Sequence, residues 1–226
     1  MAGARSTATK PPAKVVIVDD HPAVREALAI RIASESDLEV CGEAADYAEA
    51  VKLVAATHPD VAVIDLGLKS GSGIDLIERL KTSHEKLLML VWSMYSEELY
   101  AERALRAGAR GYINKEQATS QIIEAIRQVL QGRVFLSPAM TEKLLERQVG
   151  AAGKDAGRSP IESLSNRELD VFRLIGQGVK TADIAGRLHL SVKTVETYRD
   201  RLRKKLGLTH GTELAHRATQ WVLENL

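Results

Sequence analysis

The chain has too little cysteine and too few long apolar runs for several common classes of protein. Its single cysteine, Cys41, cannot form an internal disulfide, and the paired cysteines of a zinc site are absent. No apolar run approaches the length needed to span a bilayer. Residues Met1 to Lys14 lack the apolar stretch of a signal peptide. We therefore expect a disordered tail over 1–13 and a protein of the reducing cytoplasm.

Charge is present but unevenly distributed. The net charge is +1, yet between Val15 and Gly132 there are 19 acidic and 12 basic residues. Between Ser159 and Leu226 there are 11 basic and 8 acidic residues. A solvated surface can produce such an imbalance. An acidic first half and a basic second half also fit a cation-binding module joined to one that binds a polyanion.

Short apolar runs alternate with helical patterns through the first half of the chain. The runs KVVIVDD, LEVCGEA, VAVIDL, LLMLVW and RGYI predict five strands. Several are nearly continuous in Val, Ile and Leu, as in strands covered on both faces. Helices are predicted over 22–34, 46–56, 73–83, 96–107 and 117–131. This alternation predicts an α/β domain over 14–132, with a doubly wound, five-stranded parallel sheet of the flavodoxin-like type.

The pattern changes after this first domain. A weak helix is predicted in PAMTEKLLERQV, and the following GAAGKDAGRSP has the composition of a flexible linker, so we assign 133–160 as the linker. The remainder, 161–226, is predicted to be a small all-α domain with helices at about 166–177, 181–188, 192–206 and 212–224. Its first helix opens with a capping-box pattern, Ser165 followed three residues later by Glu168.

Polar side chains stand where the predicted strands end. The first strand ends in Asp19 and Asp20, the third in Asp65 and the fourth in Ser93, and Lys115 follows the fifth. Any one of these aspartates fits an ordinary strand-end residue. Together they lie at the edge of a parallel sheet where ligands bind. Three carboxylates repel one another, so we expect a divalent cation, and oxygen ligands suit Mg²⁺. Such a cation lets an anionic phosphoryl group approach a nucleophilic carboxylate.

At these residues the first half resembles a known family. Residues 14–131 resemble a CheY-like receiver domain, and the strings VDDHPAVREAL and RALRAGARGYINK are similar to the NarL/FixJ subgroup. The acidic pair Asp19–Asp20 and the residues Asp65, Ser93, Tyr112 and Lys115 stand where that family has its motif residues. The resemblance covers about half of the chain.

The resemblance implies a role for each motif residue. Asp65 is the expected phosphoacceptor and receives its phosphoryl group from a phosphohistidine of a sensor histidine kinase. Asp20 and Asp65 are expected to ligate Mg²⁺, with Asp19 acting through water and Gly67 through its carbonyl. Lys115 pairs with the phosphoryl oxygens, Ser93 donates a hydrogen bond to them, and Tyr112 turns inward to report the change.

Two residues depart from the family pattern. Lys69 stands where receivers usually carry Pro, four residues after the phosphoacceptor. Glu116 stands where many have Pro after the motif lysine, although an acidic residue there is common in the NarL/FixJ subgroup. Neither change removes a reacting atom. The first is expected to loosen the loop after Asp65, and the second leaves the peptide after Lys115 less restricted.

The C-terminal helices predict a DNA-binding surface. Two short helices, 181–188 and 192–206, are joined by a tight segment, and Ser191 can cap the second of them. Basic residues cluster near the end of this second helix, whose outward face is polar, which suits a DNA major groove. A solvated amphipathic helix gives a similar pattern. The string LSNRELDVFRLIGQGVKTADIAGRLHLSVKTVETYRDRLRKKLGL closely resembles the LuxR-type helix-turn-helix domain.

Position on the helices predicts two kinds of DNA contact. We call the helix predicted over 192–206 the recognition helix. Phosphate contacts are expected from residues at helix ends and on the flank of this helix: Lys180, Thr181, Lys193, Arg203 and Lys204. Base-edge contacts are expected from its outward face: Glu196, Thr197 and Asp200. Thr194 and Arg199 complete the predicted set. Glu196 and Asp200 are acidic where some relatives carry Lys. Pairing of Glu196 with Lys193 or Arg199 remains an alternative to base reading.

These features predict a response regulator of a two-component system. It takes a phosphoryl group on Asp65 and thereby controls sequence-specific DNA binding and transcription. The expected partners are a histidine kinase, double-stranded DNA and a second copy of the chain, on phosphorylation or on DNA, with RNA polymerase as a further candidate and no membrane. One alternative is a Mg²⁺-dependent phosphohydrolase, although no insertion for a substrate cap is present. Another is a receiver that docks a partner without being phosphorylated.

Overall fold

A computed structural model describes residues 11–116, 121–150 and 160–225. Its sheet has five parallel strands in the order β2-β1-β3-β4-β5. The strands are β1 (Ala13–Val18), β2 (Leu38–Ala44), β3 (Val61–Ile64), β4 (Leu88–Ser93) and β5 (Gly111–Asn114). The central strand β3 is buried throughout, because helices cover both faces of the sheet. The predicted doubly wound parallel sheet is confirmed.

Five helices alternate with these strands. They are α1 (Pro22–Ala33), α2 (Tyr47–Thr57), α3 (Gly73–Ser83), α4 (Glu97–Ala107) and α5 (Ile122–Leu130). Pro22 occupies the first turn of α1, where its missing N–H would have no partner anyway. The side chain of Asp46 caps α2 by accepting a hydrogen bond from the Glu49 amide. The fifth helix was predicted from 117, but α5 begins at Ile122 and Gln121 is its N-cap; residues 117–120 lie outside the described residues, as does most of the tail predicted over 1–13.

Five more helices follow, namely α6 (Pro138–Gly150), α7 (Asn166–Gly176), α8 (Thr181–Arg187), α9 (Val192–Leu206) and α10 (Gly211–Asn225). The capping box predicted at Ser165 is present, since its side chain accepts from the Glu168 amide and the Glu168 carboxylate accepts from the Ser165 amide at 2.7 Å. In α10, Leu214, Ala218 and Trp221 are buried in the core of the domain. The apolar face of α10 therefore packs within its own domain. None of the described helices is long and apolar enough to cross a membrane.

The weak helix predicted in the linker is present as α6, and it contacts the first domain. Met140 is buried, and Arg147 donates to the Glu102 carboxylate of α4 at 2.6 Å. Arg103, also in α4, donates to the backbone carbonyls of Leu164 and Glu162 at 2.7 and 2.9 Å. Buried residues of both domains form one continuous hydrophobic cluster, so the two domains are docked on each other. Most of the glycine-rich segment of the predicted linker lies outside the described residues.

Candidate functional site

The three aspartates predicted to converge do lie together at one edge of the sheet. Strands β1 and β3 end side by side, and the Asp65 amide donates to the Val18 carbonyl at 2.8 Å. The chain continues from these strands into Asp19, Asp20 and Asp65, all of which are buried. Burial of three carboxylates is costly unless cations or hydrogen bonds compensate their charge. The site therefore needs positive charge.

Lys115 supplies one positive charge directly. Its ammonium Nζ lies 2.5 Å from Asp19 Oδ2 and 2.7 Å from Asp65 Oδ2, and its side chain is almost fully buried. The Lys115 amide donates to the Ser93 carbonyl at 2.8 Å, which fixes the loop after β5 against the end of β4. Lysine thus bridges two of the three carboxylates. This pairing offsets part of their mutual repulsion.

A chain of hydrogen bonds links Asp65 to Tyr112 in β5. The Ser93 hydroxyl donates to Asp65 Oδ1 at 2.7 Å, and the Tyr95 amide donates to the Ser93 hydroxyl at 3.4 Å. The Tyr112 hydroxyl in turn donates to the Tyr95 carbonyl at 2.8 Å. Burial raises the pKa of the Tyr112 phenol, so it remains a donor at neutral pH. Tyr112 already points inward in this structure, whereas an inward turn was expected as part of a switch.

The donor atoms at this edge fit a divalent cation. One ligand atom from each of Asp19, Asp20, His21 and Asp65 lies within 4.8 Å of the others. Burial raises the pKa of Asp20, and a bound cation would oppose that effect by favouring the charged carboxylate. The Gly67 amide donates to Asp65 Oδ1 at 3.1 Å, which holds the loop after β3 beside the cluster. An acidic cluster of this kind is compatible with Mg²⁺.

The two residues that depart from the family pattern lie on the surface of the receiver. Lys69 and Glu116 are both exposed. The positive charge of Lys69 acts against the effect of burial on the pKa of Asp20. The Glu116 amide donates to the Asn114 side chain at 2.8 Å, so the peptide after Lys115 is ordered without a proline. Both substitutions leave the buried part of the site intact.

The second predicted site lies on helices α8 and α9. Ser191 caps α9, since its hydroxyl accepts from the Thr194 amide at 3.0 Å. Val195 and Leu202 are buried and hold α9 against the domain core. The residues that point outward, as predicted, are Lys193, Glu196, Thr197, Asp200 and Lys204, while Thr194, Arg199 and Arg203 are partly exposed. Lys180 is exposed at the N-cap of α8 and Thr181 is partly exposed beside it.

Both acidic residues on the outward face of α9 pair with an arginine one turn later. Glu196 Oε2 lies 3.7 Å from Arg199 Nε, and Asp200 Oδ1 lies 2.5 Å from Arg203 Nη2. The alternative of an ion pair between Glu196 and Arg199 is therefore realised in the free protein. Exposed pairs at this spacing contribute only about 0.3–0.5 kcal/mol, so either carboxylate can exchange its arginine for another partner at little cost.

Two residues beside Asp65 were not identified from the sequence. The Tyr95 hydroxyl lies 3.0 Å from the position that a Cβ on Gly67 would occupy, next to Asp65. The guanidinium carbon of Arg173, in α7, lies 4.7 Å from the centre of the Tyr95 ring. Tyr95 could have been suspected because it stands two residues after Ser93. Arg173 carries no local signal, because only the docking of the two domains brings it to the site.

Comparison with known proteins identifies both domains. Residues 15–127 match the family described as "Response regulator receiver domain", and residues 162–218 match "Bacterial regulatory proteins, luxR family". The oxygen regulatory protein NreC of Staphylococcus carnosus is 37% identical over 208 residues, which cover 91% of this chain and 96% of that protein. The protein of the same name from Staphylococcus aureus strain JH9 is 35% identical over 208 residues, with the same coverage of both chains.

Solved structures give the same result. RcsB from Salmonella enterica serovar Typhimurium, bound to the rprA promoter, is 25% identical with a TM-score of 0.67, covering 92% of this chain and 98% of that one. A LuxR-family response regulator from Aurantimonas sp. SI85-9A1 is 33% identical with a TM-score of 0.57, covering 61% and 99%. The relatives are regulators, which excludes the phosphohydrolase alternative. The chain belongs to the NarL/FixJ family of two-component response regulators, in which a receiver domain is joined to a LuxR-type DNA-binding domain that regulates transcription.

Proposed function

We propose that Asp65 is the residue that accepts the phosphoryl group. The observation that carries this proposal is the pair of contacts at its carboxylate, where Ser93 and Lys115 each lie 2.7 Å from a different oxygen. An Asp65 oxygen attacks the phosphorus of a kinase phosphohistidine. The phosphorus–nitrogen bond breaks, and its electron pair returns to the imidazole. The product is an acyl phosphate on Asp65.

The surrounding residues hold this product. Asp19, Asp20, Asp65 and the Gly67 carbonyl would hold Mg²⁺, which supplies charge neutralisation of the phosphoryl oxygens. Lys115 can transfer one of its hydrogen bonds from Asp65 to a phosphoryl oxygen, and the Ser93 hydroxyl can do the same. Movement of the Ser93 hydroxyl would shift the Tyr95 backbone, because the Tyr95 amide donates a hydrogen bond to that hydroxyl. The shift would reach Tyr112, whose hydroxyl donates to the Tyr95 carbonyl.

The exposed face of α9 is the proposed DNA-reading surface. Lys180, Thr181, Lys193, Arg203 and Lys204 are the proposed phosphate contacts, and Glu196, Thr197 and Asp200 the proposed base contacts, with Thr194 and Arg199 beside them. DNA phosphates repel a carboxylate because both groups are negatively charged. A carboxylate can, however, accept a hydrogen bond from a cytosine amino group. Support comes from RcsB of Salmonella, a relative solved bound to promoter DNA.

The remaining features of the proposal concern assembly and location. A structure of two RcsB dimers bound to DNA supports a homodimer for this chain on its operator. The proposed domains are a receiver over 14–132 and a DNA-binding domain over 161–226, joined by 133–160. A cytoplasmic location is proposed, because there the protein can meet both a kinase and DNA. RNA polymerase is the proposed partner once the protein is bound at a promoter.

Phosphorylation should tighten DNA binding about tenfold, a coupling of ordinary size between two sites of one protein. DNA is first selected from a random pool with protein treated with Mg²⁺ and acetyl phosphate. Affinity for the selected sequence is then measured with and without the phosphodonor, and light scattering follows the mass of the protein. Equal affinities together with an unchanged monomer on the selected DNA would contradict the proposed control of DNA binding.

Two substitutions in α9 should separate affinity from sequence preference. Lys204→Ala should weaken binding to all sequences alike and lower the salt slope by about one, because one phosphate contact is lost. Glu196→Ala should relax preference at one base pair by roughly 1–3 kcal/mol, since it removes a direct base contact. The two variants are matched controls for each other in the same binding selection. An unchanged motif with Glu196→Ala would leave Glu196 as a partner of Arg199 only.

A further inference from the structure

The pocket over Asp65 is built by both domains. A cavity of about 550 Å³ opens above the aspartates. The receiver contributes Asp20, Asp65, Gly67 and Tyr95 to its walls. The DNA-binding domain contributes Arg173, Leu174, Gln177, Arg187 and Leu188. Two arginines of the second domain therefore line the pocket beside Asp65, together with His21 and Lys69 of the receiver.

Direct hydrogen bonds hold the second domain in this position. The Gly71 amide, in the loop after Asp65, donates to the Arg187 carbonyl at 2.8 Å. The Ser70 hydroxyl lies 2.9 Å from His189 Nε2, in the turn between α8 and α9. Arg167 of α7 forms an ion pair with Asp75 of α3. These contacts leave the outward residues of α9 exposed, so docking does not cover the DNA-reading surface.

Arg173 is a buried cation with hydrogen-bonding capacity to spare. Its exposed fraction is only 8%, and its guanidinium carbon lies over the Tyr95 ring, 4.7 Å from the ring centre. Its Nη1 donates weakly to Gln177 at 3.4 Å, and its Nε has no hydrogen-bond partner in the part of the chain that the structure describes. The nearby Asp170 is also buried, and one of its oxygens is likewise unpaired among the described residues. A buried guanidinium with a free N–H beside a pocket is suited to an incoming anion.

We propose that the phosphoryl site is shared between the domains, and that Arg173 and Arg187 of the DNA-binding domain bind the phosphoryl group on Asp65. This inference rests on the proposed phosphorylation of Asp65. A phosphoryl group adds about −1.5 to −2 charges and three acceptor oxygens, and arginine pairs with such oxygens through its fork of N–H donors. Phosphorylation then strengthens the docked arrangement, with the recognition helix exposed and able to meet DNA.

The test measures the affinity of the full chain for beryllofluoride in the presence of Mg²⁺. Fluorine NMR reports the fraction of the anion that is bound. This anion mimics a phosphoryl group on aspartate. Arg173→Gln should bind it about tenfold more weakly, because a charge-assisted contact is lost. Arg187→Gln should bind it about threefold more weakly, since its more exposed charge is better screened. Arg167→Gln is the matched control: it removes an ionic contact between the same domains from the same helix, away from the pocket, and should leave the affinity unchanged.

Each outcome bears on a separate claim. Unchanged affinity in Arg173→Gln overturns the shared site. Equal losses in Arg173→Gln and Arg167→Gln also overturn it, because docking in general would then be responsible. If circular dichroism shows that Arg173→Gln does not fold, the result for Arg187→Gln is used instead, because the Arg187 side chain is exposed and its loss should not impair folding. Unchanged affinity in Arg187→Gln would then overturn the shared site. Failure of the wild-type chain to bind beryllofluoride would instead refute the proposed acceptor itself.

Discussion

Replacing Asp65 by Asn should abolish phosphoryl uptake from acetyl phosphate in Mg²⁺. The amide has nearly the same shape as the carboxylate but lacks its negative charge, so it is a poor nucleophile for phosphorus. It also removes one anionic ligand from the proposed cation site and one of the two partners of Lys115. Intact-mass measurement should show one phosphoryl adduct on the wild-type chain and none on the variant.

The matched control for this experiment is Asp60→Asn. Asp60 lies at the opposite end of the sheet, where its carboxylate accepts from the Lys14 amide at 2.8 Å. This variant should take up one phosphoryl group, as the wild type does. An adduct that persisted in Asp65→Asn would show that another residue is the acceptor. A wild-type chain that took up none would favour a receiver that docks its partner without phosphorylation.

Replacing Gly73 by Ala should destabilise the receiver by about 2–3 kcal/mol, as expected where an added methyl overpacks a close backbone contact. Gly73 is the first residue of α3 and is buried. A Cβ there would lie 2.5 Å from the Leu66 Cα and 2.6 Å from the Asp65 carbonyl. Both neighbours are backbone atoms, so relief of the clash requires movement of the backbone at Asp65 and Leu66. Phosphoryl uptake should slow as well.

Gly186→Ala is the control for this substitution. Gly186 lies inside helix α8, and a Cβ there would meet no atom within 4 Å. Alanine has the higher helix propensity, so this variant should be stabilised by about 0.5–1 kcal/mol. Urea denaturation monitored by fluorescence gives the free energy of unfolding of each variant. Equal stability of Gly73→Ala and the wild type would mean that the loop after Asp65 can move freely.

Local patterns were enough to predict the secondary structure and the composition of the main site. The five strands were predicted within a few residues, because strands covered on both faces are continuously apolar. Helices α1 to α4 were predicted equally well, whereas α5 begins at Ile122, five residues later than predicted. The convergence of Asp19, Asp65 and Lys115 also followed from order along the chain, since the carboxyl ends of parallel strands meet at one edge. The present distances between Lys115 and the two carboxylates confirm that convergence.

Other features depended on side-chain geometry or on contacts between residues remote in sequence. Spacing allowed Glu196 to pair with either Lys193 or Arg199, and only side-chain geometry shows that in the free protein the ion pair forms with Arg199. The inward position of Tyr112 was expected only after a switch, yet its hydroxyl already bonds the Tyr95 carbonyl. The apolar face of α10 packs on its own domain, where the ring centre of Trp221 lies 5.6 Å from that of Phe172.

The folds of the two halves of the chain, and the residues at each strand end and helix face, could be predicted without the structure. They follow from periodicity and from short-range preferences, which act within a few residues along the chain. The way in which the domains meet is seen only in the three-dimensional structure. It brings Arg173 onto Tyr95 and Arg187 to the loop after Asp65, although more than 70 residues separate the members of each pair. Such contacts depend on the packing of complementary surfaces, and no local pattern in the chain encodes that packing.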